Sequence, residues 1–332
     1  MRSAHTKIPG LLDLQVNGFK GVDFSNPDLE EEKFIETCRM LLANGTSSFL
    51  PAVTTSPEDS YRKILTMMAR VLNMPEFKSR LPGIHVEGPF ISPESGACGV
   101  HNQDFIRKPD IDLLDKLFEW SDGKLKLLTI AAEVEGAEEI TRHAVSLGII
   151  VSLGHQMADE SDIDRVVEAG ASAMTHLGNG LPAFIQRHHN PLWAGLSNDS
   201  LTALLITDGH HLPPAVIKSF IKAKGVSRCI VTSDASPLAG MMPGNYIYGG
   251  ESVILEENGL LHNDLRGCLA GSSSTMIECM NYLASMHFLT FDELLRVGFY
   301  NPLELLGIKP ETIQPERDIF FDEESGIFSF DT

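Results

Sequence analysis

Eight short apolar runs recur along the first 233 residues: LLDLQV (11–16), SSFLPAV (47–53), LPGIHV (81–86), KLLTIAA (126–132), GIIVSL (148–153), ASAMTH (171–176), TALLIT (202–207) and RCIVTS (228–233). The run GIIVSL is nearly continuous in its apolar positions rather than alternating, as a strand covered on both faces should be. Between most of the runs the period changes to that of an amphipathic helix. NPDLEEEKFIETCRMLLANG places Phe34, Cys38, Leu41 and Leu42 at helical spacing, with Asn26 as cap, Pro27 as first helical residue and Gly45 as stop. SPEDSYRKILTMMARVLN repeats the formula with Ser56 and Pro57, DESDIDRVVEAG runs from an acidic start to Gly170, and PPAVIKSFIKAKG ends on Gly225. Alternating strands and helices imply a parallel sheet, and eight of them over about 230 residues predict an α/β fold of the (β/α)8, TIM-like barrel type. The competing doubly wound fold is weakened because QVNGFKGVDF does not fit the G-x-G-x-x-G phosphate loop.

After the eighth run the pattern changes. NYIYGGESVILEENGLL alternates and carries an Asn-Gly turn signal at 258–259, so it reads as β-structure inserted before the helical SSSTMIECMNYLASMH. The tail RDIFFDEESGIFSFDT reads as a hairpin.

Two histidines give this framework its first chemistry. SLGHQMADESDIDRVVEAGASAMTHLGNG (152–180) is a strand, helix, strand unit whose strands lie parallel and adjacent. Each strand stops at an imidazole, so His155 and His176 stand at the same end of neighbouring strands; either alone reads more readily as an ordinary hydrogen-bonded strand-end residue, and only the pair brings a functional reading level with it. Barrel active sites lie at the C-terminal ends of the strands. Run three ends at Glu87, run five at His155, run six at His176, run seven at TDGHH and run eight at Asp234, so five of eight ends deliver a carboxylate or imidazole. Glu, His and His suffice for a catalytic zinc with a position left for water, with iron, cobalt or manganese as alternatives. Asp234 has the chemistry of a general base and later acid, the plainer alternative being a strand-end cap. Asp208 is a turn residue or the neighbour of a functional His211.

Composition narrows the partners. With 332 residues, 43% of them hydrophobic, the chain can bury a large core as one domain, with or without an appendage. No long apolar span occurs and MRSAHTKIPG has no apolar signal region, so a soluble, cytoplasmic protein without a membrane partner is expected. Five scattered cysteines, none in a C-x-x-C arrangement, fit a reducing compartment. The net charge of −19 argues against nucleic acid, whose phosphates it repels. A small anionic substrate then needs a local cationic pocket; QRHH (186–189) is either that or a solvated loop.

PGLLDLQVNGFKGVDF, GIHVEGPFISPE, GVHN, SLGHQMAD, THLGNG, TDGHHL, VTSDASPLAG and CLAGSSSTM together resemble, in order from about residue 8 to residue 307, the motifs of the N-acetylglucosamine-6-phosphate deacetylase family of the amidohydrolase superfamily. The resemblance implies that Glu87, His155 and His176 bind one divalent metal per subunit and that Asp234 is the catalytic aspartate. It implies substrate contacts by His101 and His211, a phosphate held at Asn179 and Gly180, and Arg187 as a phosphate-binding arginine supplied across a homodimer interface. A local arginine reconciles an anionic substrate with the negative global charge. Gln15 and Asn17 stand where many amidohydrolases have H-x-H, which implies a single metal. THLGNG has glycines where the family usually has an aromatic residue and an alanine. The family also usually carries a segment before PGLLDLQVNG that forms half of a small β-sandwich, and this sequence has almost none of it. A reduced β-sandwich appendage (241–262 plus 309–332) beside a hydrolase barrel (8–240 plus 263–308) follows. The implied activity is metal-dependent removal of the N-acetyl group from N-acetylglucosamine 6-phosphate or a close amino-sugar phosphate; an amidohydrolase acting on a different N-acylated sugar phosphate and a non-catalytic metal-binding barrel stay open.

Overall fold

The structure, a computed structural model, describes residues 5–265 and 267–330. All eight apolar runs form strands: β1 (Leu12–Val16), β2 (Ser48–Thr54), β3 (Ile84–Glu87), β4 (Leu125–Ile130), β5 (Ile150–Leu153), β6 (Ala173–Met174), β7 (Thr202–Ile206) and β8 (Cys229–Thr232). They pair in chain order as one eight-stranded sheet, every recorded pairing parallel. Helices α1 (Glu31–Ala43), α2 (Glu58–Leu72), α3 (Ile111–Trp120), α4 (Ala137–Ser146), α5 (Glu160–Glu168), α6 (Pro191–Ser197) and α7 (Pro214–Lys224) occupy the connections. Each buries an apolar stripe, such as Phe34, Cys38, Leu41 and Leu42 on α1. The chain has the (β/α)8 barrel architecture with added β-structure.

Closure between β1 and β8 rests on few groups. One main-chain bond, from Asn17 N–H to the Ala235 carbonyl at 2.8 Å, crosses beside the Val16–Ala235 bridge. Below it the buried Asp13 carboxylate accepts from Thr232 Oγ1 at 2.7 Å, from Ser233 N–H at 3.1 Å and from the Ser233 hydroxyl. Burial pushes the Asp13 carboxyl up, and these donors oppose that rise.

Local chemistry departs from the pattern at some helix ends. Asn26 does not cap α1: its Oδ1 accepts from Asp28 N–H at 3.0 Å in a side-chain turn, and α1 starts later, at Glu31. Ser56 likewise bonds back to the Thr54 carbonyl, and α2 begins behind Pro57 with Glu58 and Asp59 in its first turn. The acidic start of α5 is a capping box of Asp159 and Asp162, and α7 stops at Gly225, as the sequence predicts. Strand β6 is shorter than its apolar run, because the chain turns out of the sheet at His176.

The added β-structure forms two sheets with no strand in common. Strands β9 (Gly244–Tyr248), β10 (Glu251–Leu255), β11 (Leu261–Asn263) and β12 (Cys268–Leu269) make an antiparallel sheet over a small core of Leu238, Val253, Leu255, Leu261 and Ala270. It continues past residue 262, where the sequence suggests an end. The tail hairpin β13 (Ile319–Asp322) and β14 (Ile327–Phe330) is joined by His5–Ile8, which pairs antiparallel with β13. HTKI has no readable alternation, and its partner lies at the other end of the chain. Phe321 and Phe328 anchor this second sheet in the barrel's outer core.

Asp13→Ala leaves the Thr232 and Ser233 donors buried without an acceptor and should cost about 2–4 kcal/mol of stability. Urea unfolding checks this; a loss below about 1 kcal/mol would show that the seam does not depend on the carboxylate.

Candidate active site

Four chemical side chains leave the barrel at one rim. Glu87 is the last residue of β3; His155, His176 and Asp234 each stand two residues beyond β5, β6 and β8. The last three share a left-handed backbone, with φ of 51°, 30° and 50°. Such a conformation costs a non-glycine residue about 1–3 kcal/mol, and it swings each side chain off the strand line at the barrel mouth.

The cluster is tight. Glu87 Oε1 lies 2.9 Å from His176 Nε2 and 3.2 Å from His155 Nε2, and the two Nε2 atoms are 3.1 Å apart. All three residues are buried. His155 Nδ1 bonds the Ala97 carbonyl at 2.7 Å, and a carbonyl accepts only from a protonated nitrogen. In the neutral ring Nε2 therefore points a lone pair at a carboxylate oxygen and at a second imidazole. Three electron-rich atoms converge where a cation belongs, and Glu, His and His are zinc-type donors. Burial pushes the Glu87 carboxyl up, but the His101, His155 and His176 imidazoles beside it outweigh that and hold the carboxyl well below its ordinary value. Burial lowers the His176 imidazole, and its bond to Glu87 more than reverses that.

The remaining candidates divide into those at the cluster and those beside it. His101 stands against Glu87, Nε2 to Oε2 at 3.5 Å, and edge-on to the His155 ring. Asp234 is half-buried near Glu87, His176 and His211, and its carboxyl is pushed up to about 6 by desolvation and by the Glu87 charge, against the lowering pull of His176, His211 and Asn17. His211 Nδ1 is 2.7 Å from Asp208 Oδ2, while Asp208 Oδ1 accepts from the His210 and His211 main-chain N–H groups. Asp208 is thus both turn residue and orienter of His211. Burial raises the Asp208 carboxyl, but the His211 bond prevails and brings it to about 2.

Asn179 and Gly180 follow directly on His176, partly exposed, with Asn179 Nδ2 donating to the His176 carbonyl at 3.3 Å. Gly180 has φ +63°, and a Cβ there would come within 2.9 Å of His155 Nδ1, so only glycine passes over that ring without a shift. Arg187 is not brought to the cluster by any contact in its own chain. It sits on the exposed loop before α6, where its carbonyl accepts from Trp193 Nε1 at 3.0 Å; among the described residues its guanidinium has no ion pair or hydrogen bond. The neighbouring His189 pairs with Glu160, so QRHH is a solvated loop within the monomer.

Two neighbours were not singled out by the sequence. Asn17 Nδ2 donates to Asp234 Oδ1 at 2.7 Å. Tyr248, near the turn between β9 and β10, feels the charges of Asp23, Asp234 and Glu87, which with burial push its phenol up. Asn17 was visible only as a substitute in the H-x-H position; nothing local announces Tyr248. Gln15, the other substitute, is buried with both amide atoms unpartnered among the described residues.

No family model matches the chain. An N-acetylglucosamine-6-phosphate deacetylase of Bacillus subtilis is 32% identical over 310 residues, covering 91% of this chain and 75% of that protein. The chain belongs to the N-acetylglucosamine-6-phosphate deacetylase family. An N-acetylgalactosamine-6-phosphate deacetylase of Escherichia coli O157:H7 is 28% identical over 92% of this chain and 80% of its own length. The crystal structure of the N-acetylglucosamine-6-phosphate deacetylase of Pasteurella multocida superposes with a TM-score of 0.83, at 29% identity, over 97% of this chain and 86% of that one. Deacetylases of this family therefore share both the barrel and its added β-structure with this chain.

Zinc titration of this family member should saturate at one equivalent per chain. Glu87→Gln removes the one anionic donor of the cluster and should weaken binding by more than the roughly 10–100-fold typical of outer-shell changes. Chelator competition measures it; two equivalents, or an unchanged affinity, would contradict the donor set.

Proposed function

We propose that this protein hydrolyses the N-acetyl group of N-acetylglucosamine 6-phosphate, or of a close N-acetyl amino-sugar phosphate, to acetate and the free amine. The observation that carries the reading is the convergence of Glu87, His155 and His176 beside a half-buried carboxyl, Asp234, whose pKa is pushed up to about 6. Glu87, His155 and His176 hold the single divalent cation, zinc being the simplest choice for these donors. When bound, it supplies Lewis-acid polarisation of the acetyl carbonyl and acidifies water.

The chain's own groups carry the protons. Asn17 occupies Asp234 Oδ1, which leaves Oδ2 to take the proton from the attacking water as the new C–O bond forms. A carboxyl near pH 6 is mostly ionised at neutrality yet gives its proton back readily. Asp234 then returns the proton to the sugar nitrogen as the C–N bond breaks, and the amine leaves neutral. His101 donates from Nε2 to the carbonyl oxygen as that oxygen gains charge. Asp208 accepts a hydrogen bond from Nδ1–H of His211, so in its neutral form the ring presents Nε2 as an acceptor for a sugar hydroxyl. The phosphate is held at Asn179 and Gly180, with Arg187 of a second copy reaching it in a homodimer. That arrangement is supported by an exposed guanidinium that finds no partner among the described residues.

A second reading, an N-acetylgalactosamine 6-phosphate substrate, is favoured by the Escherichia coli relative. Comparing the two sugar phosphates by kcat/KM decides between them. No helix among the described residues is long and apolar enough to cross a membrane.

Asp234→Asn should keep the cation and lose about 10²–10⁴ in kcat. In the wild type, activity requires the ionised carboxylate and falls as pH drops through about 6, or lower once the cation's charge is present. Asn17→Ala removes a bond that stabilises the ionised form and should move that limb upward. Loss of cation together with activity in Asp234→Asn would make Asp234 a ligand instead.

Arg187→Ala should raise KM for the phosphorylated sugar by about one to two powers of ten and leave the unphosphorylated sugar nearly unchanged. Equal effects on both would remove the phosphate assignment. Hybrids of Arg187→Ala and Asp234→Asn subunits should recover activity if the arginine acts across the dimer.

A further inference from the structure

We propose that Thr55 fixes the tautomer of His101, so that the ring presents Nε2–H, and not a bare nitrogen, to the reacting carbonyl. The geometry lies on one edge of the ring. His101 Nδ1 faces the Thr55 main-chain N–H at 3.3 Å and the Thr55 hydroxyl at 2.8 Å. A main-chain N–H can only donate, so a proton on Nδ1 would point at another proton. Nδ1 is therefore the acceptor, and the ring's proton is on Nε2. This nitrogen lies 3.5 Å from Glu87 Oε2, at the edge of the cluster where the acetyl group must sit. Both Thr55 and His101 are buried, so water does not compete for the nitrogen easily.

The surroundings keep the hydroxyl on its task. Thr55 follows β2 directly, and its alternative acceptor, the Glu87 carbonyl, is farther off at 3.5 Å. Gly88 has φ +82°, and any side chain there would overlap Thr55 Oγ1. The glycine in HVEGPF thus leaves room for the group that sets the histidine. His211 shows the opposite arrangement: an acidic partner accepts from its Nδ1–H, leaving Nε2 as the acceptor of the neutral ring. Two histidines at one mouth are given opposite polarity by different neighbours, one to donate and one to accept.

Thr55 is a positioning residue, since it acts through His101. Its part in the reaction rests on the deacetylase reading, whereas the tautomer does not. In the zinc-loaded enzyme labelled with 15N-histidine, the His101 signal, assigned by its loss in His101→Asn, should show an unprotonated Nδ1 and a protonated Nε2. A protonated Nδ1 in the wild type overturns the proposal, whether or not the enzyme turns over any sugar phosphate. Thr55→Val removes the hydroxyl and keeps the shape. It should raise the Nδ1–H population and lower kcat about five- to tenfold with KM nearly unchanged, and Thr55→Ser should restore both. An unchanged kcat and tautomer in a folded Thr55→Val enzyme also overturns it. Wild-type turnover that fails on every N-acetyl amino-sugar phosphate, with the Nε2–H signature present, removes the substrate reading alone.

Discussion

A buried carboxylate packed against imidazoles is the constraint on which this molecule is organised. Glu87 sits among three imidazoles in a nearly dry barrel mouth, where an uncompensated carboxylate is among the most expensive groups to bury. Its cost is offset only if the imidazoles protonate or a cation enters. The Ala97 carbonyl holds a proton on the outer nitrogen of His155, so in the neutral ring Nε2 is left to face a cation. The surrounding hydrogen bonds then follow: Asn17 holds Asp234, Asp208 holds His211 and Thr55 holds His101, each partner outside the cluster deciding which atom of its ligand faces inward.

Much of this was legible in the sequence because barrels translate order along the chain into position around a ring. Eight apolar runs gave eight strands, and the rule that chemistry gathers at their C-terminal ends placed Glu87, His155, His176, Asp234 and His211 without any contact being known. Helix boundaries were less legible where a polar residue had two uses: Asn26 and Ser56 look like caps but close local turns instead. Pairings distant in sequence were not legible at all. The His5–Ile8 strand joins a hairpin at the other end of the chain, and Tyr248 reaches the barrel mouth only because an inserted sheet folds back over it. Arg187 is the converse case, a residue given a role by family likeness that one chain alone leaves facing solvent.

The left-handed residues show what function costs the fold. Strands favour extended backbone, yet His155, His176 and Asp234 all leave their strands in a conformation that glycine would adopt without penalty. Tight packing around each of them, and the hydrogen bonds that fix their side chains, hold the strain in place. A stabilising substitution to glycine at any of these positions would remove the chemistry along with the strain.

The seam between β1 and β8 separates the site into parts of different age. The three cation donors come from β3, β5 and β6, strands that are consecutive neighbours or nearly so and can assemble from local contacts. Asp234 is different: it is positioned by Asn17, from the first strand of the barrel, and so must wait for ring closure. On the proposed reading, the cation donors need no contact with the last strand, whereas the group that moves the proton does. On that reading, the cation donors and the proton carrier thus depend on different parts of the ring, and only the second is tied through Asn17 to the seam that Asp13 also spans.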